Sequence, residues 1–293
     1  MSKVTCIWDA KALLGEGVIW HPDENAVYWL DIVKSVLYRL DESGNKSQWQ
    51  LHDNPSAIVP CRQGGLLATN RHGVCHIDTV RGAVSKRIGL ESELASNRFN
   101  DGTSDALGQF WFASMDDSET AKTGAFYRLT TAGMVECVDV FGNACITNGP
   151  AISTCGSWIF FTDTLEKKIF RAPLNKDGSP GKPMLFIDFA PYSGYPDGMC
   201  TDSQGGLWVC HFGGGRITRF NESGASDTTL MVPVPNVTKC TFGGDNMQTL
   251  YITTAAKALS DIERERYPLS GGLFSVDVPF SGRPAYHVND PSS

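Results

Sequence analysis

Four short runs in the chain place an oxygen-bearing side chain beside a glycine: Glu16-Gly17, Asn100-Asp101-Gly102, Asn148-Gly149 and Asp197-Gly198. Their carboxylate and carboxamide oxygens, with no thiolate or imidazole among them, are hard donors. They suit Ca²⁺, Mg²⁺, Mn²⁺ or Fe²⁺ better than they suit structural zinc. The adjoining glycines permit the backbone bends that such an assembly needs. Taken singly, N-G, N-D-G and P-D-G are ordinary turn sequences. The argument for a joint site is their register, since each run lies roughly ten residues ahead of an aromatic strand-like segment. Ser56-Ala57-Ile58 and Lys239-Cys240-Thr241 occupy the corresponding places in the two remaining repeats.

The elements that must bring these residues together are repeats. Val27-Tyr28-Trp29-Leu30, Leu66-Leu67-Ala68-Thr69, Phe110-Trp111-Phe112-Ala113, Ile159-Phe160-Phe161-Thr162, Leu207-Trp208-Val209-Cys210 and Leu250-Tyr251-Ile252-Thr253 are aromatic or β-branched, as buried strands are. They recur roughly every 38 to 49 residues. Each is followed by a second run of strand character, at 36–40, 73–77, 125–129, 168–172, 216–220 and 272–276, which reads as its hairpin partner. Turn sequences such as Asp41-Glu42-Ser43-Gly44 and Asn175-Lys176-Asp177-Gly178 close several of these runs. Helical periodicity is weak, with 255–267 the one tempting stretch. Six repeats of about four strands predict an all-β, six-bladed β-propeller, in which equivalent positions ring a central channel. No mid-chain Pro/Gly/Ser linker supports two tandem sandwiches, so residues 1–293 read as a single domain. The strand near 4–8 and a late one near 285–288 are expected to complete a blade together and close the ring.

The 293 residues are 41% hydrophobic and 19% charged, which suits a globular core and excludes a disordered tail or a long coiled coil. A net charge of −7 is the wrong sign for neutralising phosphates, so neither nucleic acid nor an anionic membrane is an expected partner. Nine scattered cysteines without C-x-x-C read as buried thiols of a reducing compartment. The first residues lack a basic flank and a long apolar run, and no segment reaches membrane-spanning length; the expectation is a cytoplasmic protein. Because a closed propeller hides its strand edges, a monomer is expected.

Several motifs in one order make the reading specific. Gly15-Glu16-Gly17, Arg98-Phe99-Asn100-Asp101-Gly102, Thr147-Asn148-Gly149-Pro150 and Tyr195-Pro196-Asp197-Gly198-Met199, followed by Gly206-Leu207-Trp208-Val209, resemble the regucalcin/gluconolactonase family of sugar-acid lactonases. The likeness extends from about Glu16 to Gly272, and the stretch from Asn236 through Tyr267-Pro268-Leu269 to Gly272 is similar to bacterial pentonolactonases, including xylonolactonases. The resemblance implies a six-bladed propeller holding one divalent ion (Ca²⁺, Zn²⁺, Mn²⁺, Mg²⁺ or Fe²⁺) through Glu16, Asn148 and Asp197. It also implies sugar-lactone contacts from Arg98 and Asn100. A further acidic contact follows the third aromatic strand; Asp116, Asp117 and Glu119 compete for it, with Glu119 taken as the candidate. The implied reaction is hydrolysis of an aldonolactone to the aldonic acid, a pentonolactone such as xylono- or arabinonolactone being favoured. Asp197 would be both ligand and general base.

A broader metal-dependent esterase or phosphotriesterase would use the same Lewis acid, and a non-catalytic calcium-binding propeller is the alternative from another class. Against an interaction propeller of the WD kind, Trp8-Asp9 is the chain's lone Trp-Asp dipeptide and lies outside the repeats. His72 and His76 are four apart in a strand pattern, where that spacing does not build a ligand pair, and H-E-x-x-H, G-x-S-x-G and P-loop sequences are absent.

Overall fold

Alternating strand patterns separated by turns fold as expected into six four-stranded antiparallel sheets. The computed structural model describes residues 3–291. Blades 1 to 5 take their four strands consecutively from residues 15–50, 58–89, 97–137, 147–188 and 195–231. Blade 6 draws three strands from 237–277 and its outermost one from Thr5–Trp8. The inner strands of neighbouring blades pack side by side, and that of blade 6 returns to that of blade 1, closing the ring. The predicted aromatic runs form the second strand of every blade and their predicted partners the third. Among the described residues the one α-helix, Asp261–Arg266, lies within the stretch that had looked helical.

Closure differs from expectation in one respect. Thr5–Trp8 pairs with Leu273–Asp277, not with 285–288. The later segment instead crosses the end of the channel, where Ala285 N–H bonds Trp20 O at 3.4 Å and Val288 N–H bonds Pro60 O at 2.9 Å. Val288 makes only an isolated parallel bridge, to Cys61. The run Leu273–Asp277 already offers the free edge that the N-terminal strand needs, so the tail is left to cover the channel.

Six apolar clusters hold the ring, each filling the space between two adjacent blades. Trp29, Trp111 and Trp208, on the second strands of blades 1, 3 and 5, are essentially inaccessible to solvent. Removal of such rings from water, at roughly 1.5–3 kcal/mol per large side chain, drives the blades together and leaves the channel as the place for polar chemistry.

Candidate active site in the channel

The inner strands do not run regularly past the channel. In blades 1, 3, 4 and 5 each carries a β-bulge, so that two of its residues face one on the neighbouring strand. Glu16 and Asn148 stand immediately before the bulge, while Asn100-Asp101 and Asp197-Gly198 form it. A bulge twists the strand locally and re-aims its side chains, and four bulges at one level of the ring turn these groups toward a common point. Gly17 and Gly149 have φ of 62° and 72°, the left-handed region that a side chain disfavours. A Cβ on Gly17 would also lie 2.9 Å from Ser56 O. Blade 2 has no such irregularity, and its Ser56 spends its hydroxyl on Thr69 Oγ1 at 2.9 Å.

All six residues singled out in the sequence, Glu16, Arg98, Asn100, Glu119, Asn148 and Asp197, line one cavity of about 340 Å³. Its polar floor is joined to an apolar wall that includes Leu14, Met115, Ile146, Leu165 and Phe212.

The floor is strongly acidic. Burial, followed by the neighbouring Asp101, pushes the Glu16 carboxyl up to about 8. Burial, then Glu16 and Asp101, holds Asp197 well above the ordinary carboxylate range. Each accepts a single backbone N–H at 3.0 Å, Glu16 from Gly17 and Asp197 from Gly198. Asp101 differs, because Lys239 from blade 6 reaches across the axis to pair with it and also donates to Gly102 O at 2.8 Å. Burial disfavours the Lys239 ammonium, but Asp101 and Glu16 outweigh that and raise its proton affinity.

Three buried carboxylates thus share one buried ammonium, and Glu16 and Asp197 remain without a full counter-charge. A divalent cation among Glu16, Asp197 and the carboxamide oxygen of Asn148 fits this donor set and relieves the excess negative charge. Hydrogen bonds orient the amide for that purpose. Asn148 Nδ2 donates to Thr164 Oγ1 at 3.0 Å, and that hydroxyl donates to Pro196 O at 3.0 Å, which leaves Oδ1 as the end turned toward Asn100.

Asn100 sits between the acidic floor and the arginine. Its Nδ2 donates to Thr147 O at 2.8 Å and to Asn148 Oδ1 at 3.0 Å, and its Oδ1 accepts from Arg98 Nη1 at 2.8 Å. Arg98 is buried; its Nε donates to Asp117 Oδ1 at 2.9 Å, while Nη2 makes no hydrogen bond among the described residues and is left for the cavity.

The three competing acids separate in space. Asp116 turns into its own loop, where the Ser118 hydroxyl and the N–H groups of Thr120 and Ala121 hold its carboxyl well below the usual range. Asp117 is clamped between Arg71 and Arg98. Only Glu119 lines the cavity, with Lys257 Nζ 3.5 Å from its Oε1.

Lys257 and the Asp101–Lys239 pair were not singled out in the sequence. Lys239 stood in the ring register, a lone cation among acids, and that was the available signal. Lys257 lies on a loop held by Leu13 O and by Asn236 Nδ2, which no repeat pattern announces.

Comparison with known proteins identifies the family and the fold. Residues 14–256 match the SMP-30/Gluconolactonase/LRE-like region. A 6-deoxy-6-sulfogluconolactonase of Pseudomonas putida is 32% identical over 286 residues, covering 96% of this chain and 97% of the relative. A pentonolactonase of Haloferax volcanii is 31% identical over 97% of both chains. The crystal structure of a calcium-binding protein, regucalcin, from Agrobacterium tumefaciens superimposes with a TM-score of 0.93 at 28% identity, covering 98% of this chain and 97% of that one. The chain belongs to the SMP-30/gluconolactonase/LRE-like family, and its six-bladed propeller is the fold of that family's regucalcin.

Proposed function

We propose that this protein hydrolyses a sugar-acid lactone to the open-chain acid with a divalent cation at the channel floor, and that a pentonolactone such as xylono- or arabinonolactone is the substrate. The observation that carries the reading is the convergence of buried Glu16, Asn148 and Asp197 beneath a cavity that also presents the unpartnered Nη2 of Arg98. The named lactonases among the relatives support the reaction class, and the C-terminal motif supports the pentonolactone. The relatives act on both hexono- and pentonolactones by name, so the sugar is a matter for assay. Our reading is further of a single domain over 1–293 that works as a cytoplasmic monomer. Among the described residues no helix is long and apolar enough to cross a membrane.

A divalent ion held there would supply Lewis-acid stabilisation of the negative charge that develops on the lactone carbonyl oxygen, an effect of several kcal/mol. Asp197 takes a proton from the attacking water as its oxygen bonds to the carbonyl carbon; the ring C–O bond then breaks, and that proton passes to the departing alkoxide. The buried, acid-flanked environment that raises the proton affinity of Asp197 works in the direction a general base requires. Arg98, fixed at Nε by Asp117 and at Nη1 by Asn100, presents Nη2 to a substrate hydroxyl or ring oxygen. Glu119 and Lys257 offer an acceptor and a donor to hydroxyls farther from the reacting carbon.

The test is chelation of the purified protein, separate re-addition of Ca²⁺, Mg²⁺, Mn²⁺, Zn²⁺ or Fe²⁺, and measurement of acid release from pentono- and hexonolactones, corrected for spontaneous opening. Turnover that requires an ion and disappears in Asp197→Ala is the expected result. Ion binding without turnover of any lactone would leave a binding propeller in its place.

A further inference from the structure

A second cluster of donors lies at the opposite end of the blade 1 inner strand from Glu16. That strand, Gly15–His21, ends at His21, and the turn 22–25 carries Asp23. The C-terminal segment passes over this end, pinned by Ala285 to Trp20 O and by Val288 to Pro60 O, and these bonds set His287 beside His21 and Asp23. One donor atom from each of the three lies within 4.8 Å of the others. His287 Nε2 is 2.9 Å from Asp23 Oδ2, and the two imidazole rings meet edge to face with centroids 5.6 Å apart.

The second observation concerns His21, which is 5% exposed. Its Nδ1 is buried without a hydrogen-bond partner, and the 3.8 Å separation of its Nε2 from Glu24 Oε1 is too long for a hydrogen bond. A buried polar atom left unpaired costs about 1–3 kcal/mol, so the buried Nδ1 of His21 calls for a partner.

We propose that His21, Asp23 and His287 bind a zinc-class divalent cation that fastens the C-terminal segment to blade 1. Two imidazole nitrogens and one carboxylate oxygen select Zn²⁺, Co²⁺, Ni²⁺ or Cu²⁺ over the calcium-type ions that suit the all-oxygen channel floor. Tetrahedral bonds of about 2.0–2.2 Å bring donors to roughly 3.3 Å from one another. Asp23, mostly exposed on its turn, supplies the small movement required. The other mixed cluster, Cys61, His76 and Asp290, lacks this quality because Arg87 already grips Asp290 at 2.7–2.9 Å and places a positive charge where a cation would sit.

The test uses the full chain, free of any histidine tag and stripped with chelator. Bound zinc per chain is expected to fall by one equivalent in His287→Gln and in Asp23→Asn, while Ca²⁺-supported lactone hydrolysis stays at the wild-type level. With Cu²⁺, electron paramagnetic resonance should resolve coupling to two imidazole nitrogens in the wild type and to fewer in His287→Gln. Zinc should also slow chymotryptic cleavage after Tyr286 by roughly tenfold in the wild type and not in the variant. Equal zinc stoichiometry in the wild type and both variants would overturn the inference. So would zinc binding lost only in Asp197→Ala, which would leave the channel site standing. Zinc lost only in the His287 and Asp23 variants would support this site irrespective of the channel's ion.

Discussion

The charge balance of the channel floor makes cation binding compete with protons. With the Glu16 carboxyl held up to about 8 by burial and by Asp101, most chains carry a proton there at neutral pH. A cation that coordinates the carboxylate must displace it. For this one group the apparent affinity is reduced about 100-fold at pH 6 and about twofold at pH 8, so binding should tighten by roughly 50-fold across the interval, with close to one proton released per ion at pH 7. Asp197 repels Glu16, and the pair releases its protons in two steps, which can only steepen the dependence. Calorimetric titration with Ca²⁺ or Mn²⁺ in buffers of different ionisation enthalpy counts the protons and gives the affinity at each pH. Glu16→Gln should bind more weakly yet show a shallower slope. The same carboxyl predicts the stability of the cation-free protein. Its folded pKa exceeds the unfolded value, so its contribution is fully present below about 4.5 and is lost as pH rises toward 8; saturating cation should reverse that loss. An affinity independent of pH between 6 and 8, with no protons released, would refute the reasoning.

Three further outcomes follow from the same contacts. Asp197→Ala should lower kcat by 10²–10⁴-fold in steady-state lactone assays, whereas Arg98→Ala should act mainly on KM; equal kcat losses with unchanged KM would contradict the assigned roles. Lys239→Met strands the buried Asp101 carboxylate and should cost about 3–5 kcal/mol in denaturant unfolding. Much of that should return in the double variant with Asp101→Asn, as expected of directly coupled residues. Thr164→Val removes the acceptor that orients Asn148 and should weaken cation affinity about 10–100-fold with little change in fold by circular dichroism.

The propeller was legible because its cause is periodic. An aromatic strand such as Phe110-Trp111-Phe112 has to be buried between blades, and its recurrence gives the number of blades. The floor residues were legible for a related reason: bulges need turn-like sequences, so Asn148-Gly149 and Asp197-Gly198 resembled turns while standing in strand register. What escaped depends on contacts that no local pattern encodes. The partner of Asp101 is 138 residues away in Lys239, a separation that only ring closure bridges. Asp116, Asp117 and Glu119 are near neighbours of one type, and only the path of their loop decides that Asp116 bonds its own turn, Asp117 braces Arg98 and Glu119 reaches the cavity. The tail at 285–288 resembled a closing strand, but the edge it would have taken was already matched by Thr5–Trp8.

The two ends of the channel are unequal, and that inequality assigns a direction to catalysis. At the end away from Glu16 the remaining space is about 60 Å³, bordered by Arg283, Pro284 and Ala285 of the tail, and is too small for a sugar ring. The Asp101–Lys239 pair spans the axis between this space and the larger cavity. For the proposed reaction, substrate must therefore enter and product must leave past Glu119, Lys257 and Tyr195, which border the larger cavity. In the proposed reaction chemistry is supplied by inner strands whose bulges are locked by neighbouring blades, whereas Glu119 and Lys257 at the entrance stand on loops, beside Tyr195 at the start of an inner strand. On the proposed function, discrimination between lactones differing by one hydroxyl belongs to those loops, and the residues that open the ring belong to the strands.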